Sequence, residues 1–305
     1  MNKHYITPPQ SALFAMFYLV IFTGISLAVY QFILNRSLWL DEASLALNII
    51  GKDFLGLTKP LDYKQVAPIG FLFIERLSVL MLGKNEFALR IFPLISFLVS
   101  MPFFYLLAYK LAGNKIIALL STSILSITLP LLRYSSEVKQ YSSDVMFAVI
   151  ILCCSLTLKL NKNRSLFIYA IIGSIAIWFS NISVIILFVA GIYSLYFEGY
   201  RNKNYRVLFP ILFWAISFFI YYVFFIHNHP HTEFMINYWR KAFLPLNPFS
   251  KDLYSFLLLS AQDIYGFLLG FGRFWFIPLL ISFGAIGIML KHQKYTLLYF
   301  CLAPI

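Results

Sequence analysis

Between Ser11 and Leu34 the chain runs for 24 residues without a charged side chain. No other feature constrains the fold as tightly. A helix of roughly 20 residues crosses the hydrocarbon core of a bilayer, and in lipid a spanning segment has to satisfy its own backbone hydrogen bonds, as a helix does. The run exceeds the roughly 7–15 apolar residues of a secretory leader, and no small-residue cleavage site follows it, so it reads as a retained span. The rest of the chain agrees with this. Of 305 residues, 61% are hydrophobic and only 12% charged, about half the charge of a soluble domain. Too little polar surface remains to cover the apolar part, which makes lipid the expected solvent.

Further apolar runs predict spans at Phe87–Tyr109, Ile116–Leu132, Tyr141–Leu158, Ser165–Ser180, Ile182–Phe197, Val207–Ile226 and Phe274–Leu290, with another beginning near Tyr295. The expected architecture is a single all-α polytopic domain over residues 1–305, with about eight or nine transmembrane helices. The final run stops too early to span, so a C-terminal remainder is expected beyond it. Ala67–Leu82 decides the topology. It is 16 residues long and carries Glu75 and Arg76 at its centre, and charges there oppose insertion by a few kcal/mol each. It is expected to lie at the interface or re-enter, leaving Asn35–Glu86 as one loop on one side.

With the N-terminus inside, 11 of the 24 basic residues fall in five short inner segments, with Glu198 the only acid among them. This distribution explains the net charge of +12 without nucleic acid as a partner. Nearly all carboxylates then face the outer compartment, where three segments are large enough for chemistry: 35–86, 133–140 and 227–273. Within the last, Leu253–Gly272 is expected to be interfacial. Cys153, Cys154 and Cys301 all lie in apolar runs and read as small core residues.

Four polar groups could carry function. Asp41-Glu42 follows the first span. An acidic pair there reads either as a helix cap or as a carboxylate held at the membrane surface as a general base. In Tyr134–Asp144, a helix started by Glu137 would align Glu137, Tyr141 and Asp144 on one face, with Lys139 pointing elsewhere. Lys64, Arg76 and Arg90 are cations at the same side, suited to snorkelling or to gripping a phosphate. His227, His229 and His231 fall within five residues, but their spacing is not that of a recognised zinc site and Pro230 interrupts any helix. No phosphate-binding glycine loop or dinucleotide fingerprint occurs.

Trp39-Leu40-Asp41-Glu42-Ala43 resembles the opening loop of GT-C glycosyltransferases, and most closely the protein O-mannosyltransferase and aminoarabinose-transferase-like branch. Leu61–Leu72, Gly83-Lys84-Asn85-Glu86-Phe87-Ala88-Leu89-Arg90 and Tyr134-Ser135-Ser136-Glu137-Val138-Lys139-Gln140-Tyr141 resemble segments that follow it in that family, in order, over about the first 145 residues. The resemblance implies an inverting transfer from a polyprenyl-phosphate sugar to an acceptor hydroxyl of a glycan, lipid or protein. The reaction would take place in an outward-facing cavity, in a bacterium at the plasma membrane. It implies Asp41 as base or acceptor-orienting group and Glu42 and Glu137 as carboxylates shaping the cavity. Arg90 and Lys139, with Lys64 and Tyr141, would meet the donor phosphate, because a cation there stabilises charge that develops in the transition state. A divalent metal is left open, since its use varies across that superfamily. The chain departs from many relatives at Ala67-Pro68-Ile69, where they carry His-Pro-Pro or Lys-Pro. A transporter or flippase of polyprenyl-linked glycans is the competing reading, although no internal repeat of the kind common in transporters is visible. A non-catalytic scaffold of the same fold is the third.

Overall fold

The computed structural model describes residues 10–291 apart from 228, 241–242, 269 and 271, together with 294–296 and 299. Among these all regular secondary structure is helical. In order the helices are α1 (Gln10–Leu34), α2 (Leu40–Gly51), α3 (Phe54–Leu57), α4 (Ile69–Leu82), α5 (Glu86–Ala112), α6 (Lys115–Ser126), α7 (Leu129–Tyr134), α8 (Tyr141–Thr157), α9 (Asn163–Phe179), α10 (Ser183–Ser194), α11 (Leu208–Tyr221), α12 (Thr232–Tyr238), α13 (Lys251–Gln262) and α14 (Phe276–Lys291). α10 and α11 continue as π-helical turns to Arg201 and Ile226.

Among the described residues five helices are long and apolar enough to cross a membrane: Gln10–Leu34, Glu86–Ala112, Ser183–Arg201, Tyr205–Ile226 and Gly272–Lys291. α6, α8 and α9 are apolar but shorter. Large apolar side chains such as Leu19 and Phe22 on α1, Phe213 and Ile216 on α11, and Leu280 and Phe283 on α14 are exposed. A chain surrounded by water rarely shows so much apolar surface. The architecture is consistent with an α-helical polytopic membrane protein.

The core is built around α5, which packs along α8, α6 and α4, while α9 pairs with α11 and α1 with α6. Small residues let these helices approach closely, as is usual in membranes. A Cβ on Gly24 of α1 would come within 2.3 Å of the Ser126 carbonyl oxygen, and one on Gly173 of α9 within 2.2 Å of the Trp214 indole nitrogen. At the turn between α5 and α6, Gly113 takes a left-handed φ of 66° and Asn114 caps α6 through the amides of Ile116 and Ile117.

One expected span is broken. Instead of a single helix over Ile116–Leu132, α6 stops at Ser126 and α7 starts at Leu129. Pro130 has no amide hydrogen and sits in the first turn of α7, where none is needed; Pro93 and Pro102, by contrast, are held inside α5. Helix also begins later than expected near Glu137: α8 starts at Tyr141, and residues 135–140 form a turn, so Glu137 does not share a helical face with Tyr141 and Asp144. The run near Tyr295 lies largely outside the described residues, as does Cys301, while Cys153 and Cys154 are buried free thiols.

α4 has 14 residues, about 21 Å of helix, well short of the roughly 30 Å hydrocarbon core. It docks on α5, α9 and α2. Arg76 donates to the carbonyl oxygens of Ile49 and Ile50 at the end of α2. Glu75 is fully buried, and neither carboxyl oxygen has a hydrogen-bond partner. Burial alone pushes its pKa well above the ordinary 4.5, so it is held protonated. An uncharged Glu75 removes much of the cost of the charge that the sequence places at the centre of α4.

Candidate active site

The loops 35–86 and 133–140 meet the chain after α11 at one end of the bundle. Glu137 accepts from Arg36, just beyond α1, and His231 hydrogen-bonds the Leu61 carbonyl oxygen at 3.0 Å. Within this end, the acidic pair Asp41-Glu42 divides between two environments.

Glu42 turns inward and is fully buried. Its Oε2 accepts from the Trp39 amide at 3.3 Å, so it does cap α2. Its Oε1 accepts from the Val138 amide at 2.9 Å and lies 3.5 Å from Arg90 Nη2. Arg90, also fully buried, donates to Asn35 Oδ1 and to the Arg36 carbonyl oxygen, the latter at 2.7 Å. The Arg36 side chain reaches Glu137 Oε1 at 2.9 Å, and Arg133 Nε reaches the same oxygen at 2.7 Å. Glu137 itself is buried. Glu42, Arg90, Arg36, Glu137 and Arg133 therefore form a clasp that ties the end of α1, the start of α2, the start of α5 and the α7–α8 turn together.

Asp41 turns the other way. Its Oδ2 is 2.7 Å from Lys139 Nζ, and its Oδ1 accepts from Gln65 Nε2 at 2.9 Å. Gln65 Oε1 in turn accepts from Lys139 Nζ at 3.0 Å, closing a triangle. Partial burial raises the Asp41 pKa, but the hydrogen bonds from Lys139 and Gln65 and the lysine's charge outweigh it, so the net value is lowered from 3.8. Asp41 is ionised at neutral pH. Lys139 was expected to point away toward a ligand; instead it lies against Asp41.

The triangle forms part of the wall of a cavity of about 650 Å³ that also includes Trp39, Tyr63, Lys64, Tyr141, Phe234, Tyr238 and Trp239. This is the size and lining of a small-molecule site: apolar walls with a few convergent polar groups. Lys64 Nζ sits 4.2 Å over the Phe234 ring, and Tyr134 and Tyr141 rings pack at 4.6 Å. Tyr63 and Lys64 both have positive φ, 58° and 55°. Non-glycine residues rarely adopt this conformation and it costs about 1–3 kcal/mol each, so the surrounding contacts hold this segment of wall in shape.

Two further cavities adjoin this one. Gln65 and Val66 are shared with a cleft of about 180 Å³ between the first loop and the end of α11, where Leu61, Ile69 and Phe225 mix with Lys59, Asn181 and His229. Tyr238 and Trp239 are shared with a larger cleft of about 900 Å³ that contains Arg240, Asp252, Ser255 and Asp263 beside Phe243, Phe256 and Leu259.

Of the residues singled out from sequence, Asp41, Lys139, Lys64 and Tyr141 line the central cavity, while Glu42, Glu137 and Arg90 lie in the clasp behind it. The partners Arg36 and Arg133 and the walls from residues 234–239 were not foreseen. The four-residue spacing of Arg133 and Glu137 was a legible signal; nothing local announced the others. Among the described residues no group of three His, Cys, Asp or Glu side chains is placed to hold a metal. His229 has its pKa lowered from 6.5 by burial and then by neighbouring His231, which keeps it neutral at pH 7. No family model matches the chain, and neither does any curated protein or solved structure.

Proposed function

We propose that the chain is an inverting membrane glycosyltransferase of the GT-C type that moves a sugar from a polyprenyl-phosphate donor to an acceptor hydroxyl. The observation that carries this reading is the Asp41–Lys139–Gln65 triangle in the wall of an aromatic cavity at one end of an apolar helix bundle. α8 and α9 cross the membrane with the five longer helices, α6 and α7 together make one more crossing, and the cavity end faces outward. The opposite end carries the basic turns around Lys110, Lys159 and Arg206, which belong inside.

In this reaction the acceptor oxygen attacks the anomeric carbon as the bond from that carbon to the phosphate oxygen breaks. The acceptor proton passes to Asp41, and the electron pair leaves with polyprenyl phosphate. Paired with Lys139, Asp41 is a weak base. When the donor phosphate draws Lys139 away, Asp41 loses its cation and becomes a stronger base as the leaving group gains one. Lys64, on the same cavity wall, supplies a second cation. The leaving group is already a stable phosphate, so no general acid is required.

The test uses the purified full chain in detergent with a set of synthetic polyprenyl-phosphate sugars. Transfer should be seen with at least one donor, and Asp41→Asn should reduce it about 10²–10⁴-fold, the usual contribution of a positioned base, while the protein stays folded. Undiminished transfer by Asp41→Asn would remove Asp41 from the mechanism. Flux of the lipid across vesicles with no transfer from any donor would favour a transporter.

A further inference from the structure

At the end of the bundle opposite the candidate active site, a groove of about 700 Å³ runs between the starts of α9 and α11. Two arginines, Arg164 and Arg206, lie at its polar end with Asn163 and Tyr205; Leu166, Phe167, Phe209 and Leu212 form the rest of its walls. Arg206 donates one bond, to the Asn161 carbonyl oxygen at 3.2 Å. Among the described residues neither arginine meets a carboxylate. The surrounding turns add Lys159, Lys162, Arg201 and Lys203 against Glu198 alone. A guanidinium pair with no acid nearby calls for an anion, and guanidinium geometry suits phosphate oxygens.

The apolar walls say what that anion is attached to. From the groove, exposed Phe167, Ile171 and Ile175 continue down one face of α9, and exposed Phe209, Leu212 and Ile216 continue down α11. These spacings keep each set on one side of its helix. From Arg164 to Ile175 the helix rises about 16 Å, half of the roughly 30 Å hydrocarbon core. An apolar groove lined by two arginines that meet no carboxylate, with exposed apolar side chains continuing along both helices for the depth of one leaflet, is complementary to a phospholipid and not to a free anion. The geometry points to a bound anionic phospholipid, its phosphate on Arg164 and Arg206 and one acyl chain between α9 and α11. Basic pockets between helices on the inner side of membranes are suited to such headgroups.

The site is separate from the sugar-transfer reading and is tested separately. Delipidated full-length protein is examined by native mass spectrometry and thermal unfolding with phosphatidylglycerol, phosphatidylcholine or inorganic phosphate. Phosphatidylglycerol should be retained and should raise the unfolding temperature, with little effect from the other two. The Arg164→Gln/Arg206→Gln double variant should lose roughly thirty-fold in phosphatidylglycerol affinity. Lys159→Gln/Lys162→Gln, which removes the same charge outside the groove, should lose far less. Leu212→Trp, which keeps both arginines and fills the apolar track, should also weaken retention. Equal losses in the two charge variants, stabilisation by inorganic phosphate alone, or unchanged retention in Leu212→Trp would each overturn the proposal.

Discussion

Asp41 and Glu42 are adjacent in sequence and differ in almost everything that matters chemically. Glu42 belongs to a buried clasp with Arg90, Arg36, Glu137 and Arg133, while Asp41 belongs to a half-open triangle with Lys139 and Gln65. Removing two charges from water costs several kcal/mol per ion, and a buried pair recovers this only with good geometry and added hydrogen bonds. Backbone groups supply part of these bonds, through the Val138 and Trp39 amides and the Arg36 carbonyl, while Arg90 Nε and Nη2 and Glu137 Oε2 are buried without a hydrogen bond. Its charges are committed to holding four chain segments together. Asp41 and Lys139 face a cavity and can exchange partners with a ligand. The clasp also positions the triangle, since the Val138 amide held by Glu42 immediately precedes Lys139.

The sharpest way to break this comparison is to remove one side of the clasp. Arg90→Ala leaves Glu42 buried without its cation and should destabilise the protein by about 3–5 kcal/mol, seen as a lower midpoint on denaturation in detergent. A loss below about 1 kcal/mol would mean that Arg90 is not part of a buried pair. Glu137→Ala should cost less, about 1–3 kcal/mol, because Arg36 and Arg133 are partly exposed and can turn to water.

Glu75 provides the third case, a buried acid with no clasp at all. Its pKa in the folded protein is raised by burial, so the folded state keeps a proton that the unfolded state gives up. Stability is therefore greatest below the ordinary value of 4.5 and falls as pH rises from there toward the folded value. Glu75→Gln keeps the shape and cannot ionise. It should flatten the pH dependence measured between about pH 4 and pH 8 and raise stability at the upper end. A wild-type profile identical to that of Glu75→Gln would show that Glu75 is ionised or solvated in the fold.

How much of this was legible follows from the range of the signals. Uncharged runs predict helices well because a helix in lipid is a local solution to a local problem, and α1 and α5 lie within a few residues of the expected spans. Pro130 was equally visible, but its effect in splitting α6 from α7 was not read. The charge at the centre of Ala67–Leu82 identified α4 as too short and too polar to cross, which places Asp41 and Lys139 at one end. What the residues by themselves could not separate, without the family resemblance, was Asp41 from Glu42. Both follow the first span, and only the folding of Val138 and Arg90 around one of them makes it the buried partner. Arg90, read as a phosphate cation, has the same history: its neighbours Asn35 and Arg36 lie 55 and 54 residues away in the chain, beyond any local pattern. The cavity walls from Phe234 to Trp239 are more distant still.

The smallest effects on stability should come from the triangle. Asp41 is partly exposed and Lys139 nearly buried, so Asp41→Asn should change folding stability by less than about 1 kcal/mol, as for other ion pairs open to water. Lys139→Gln should cost more than Asp41→Asn, because its ammonium is the better buried of the two, and still less than Arg90→Ala. The two triangle variants separate the roles assigned to them. Without Lys139, Asp41 loses the charge and hydrogen bond that lower its pKa in the free protein, so the acid limb of the kcat/KM profile should move to higher pH. Transfer should also fall, because the departing phosphate has lost a cation. In Asp41→Asn that limb should disappear. A Lys139→Gln variant whose kcat/KM acid limb does not move would mean that the titrating base is some group other than Asp41, whatever the loss in rate.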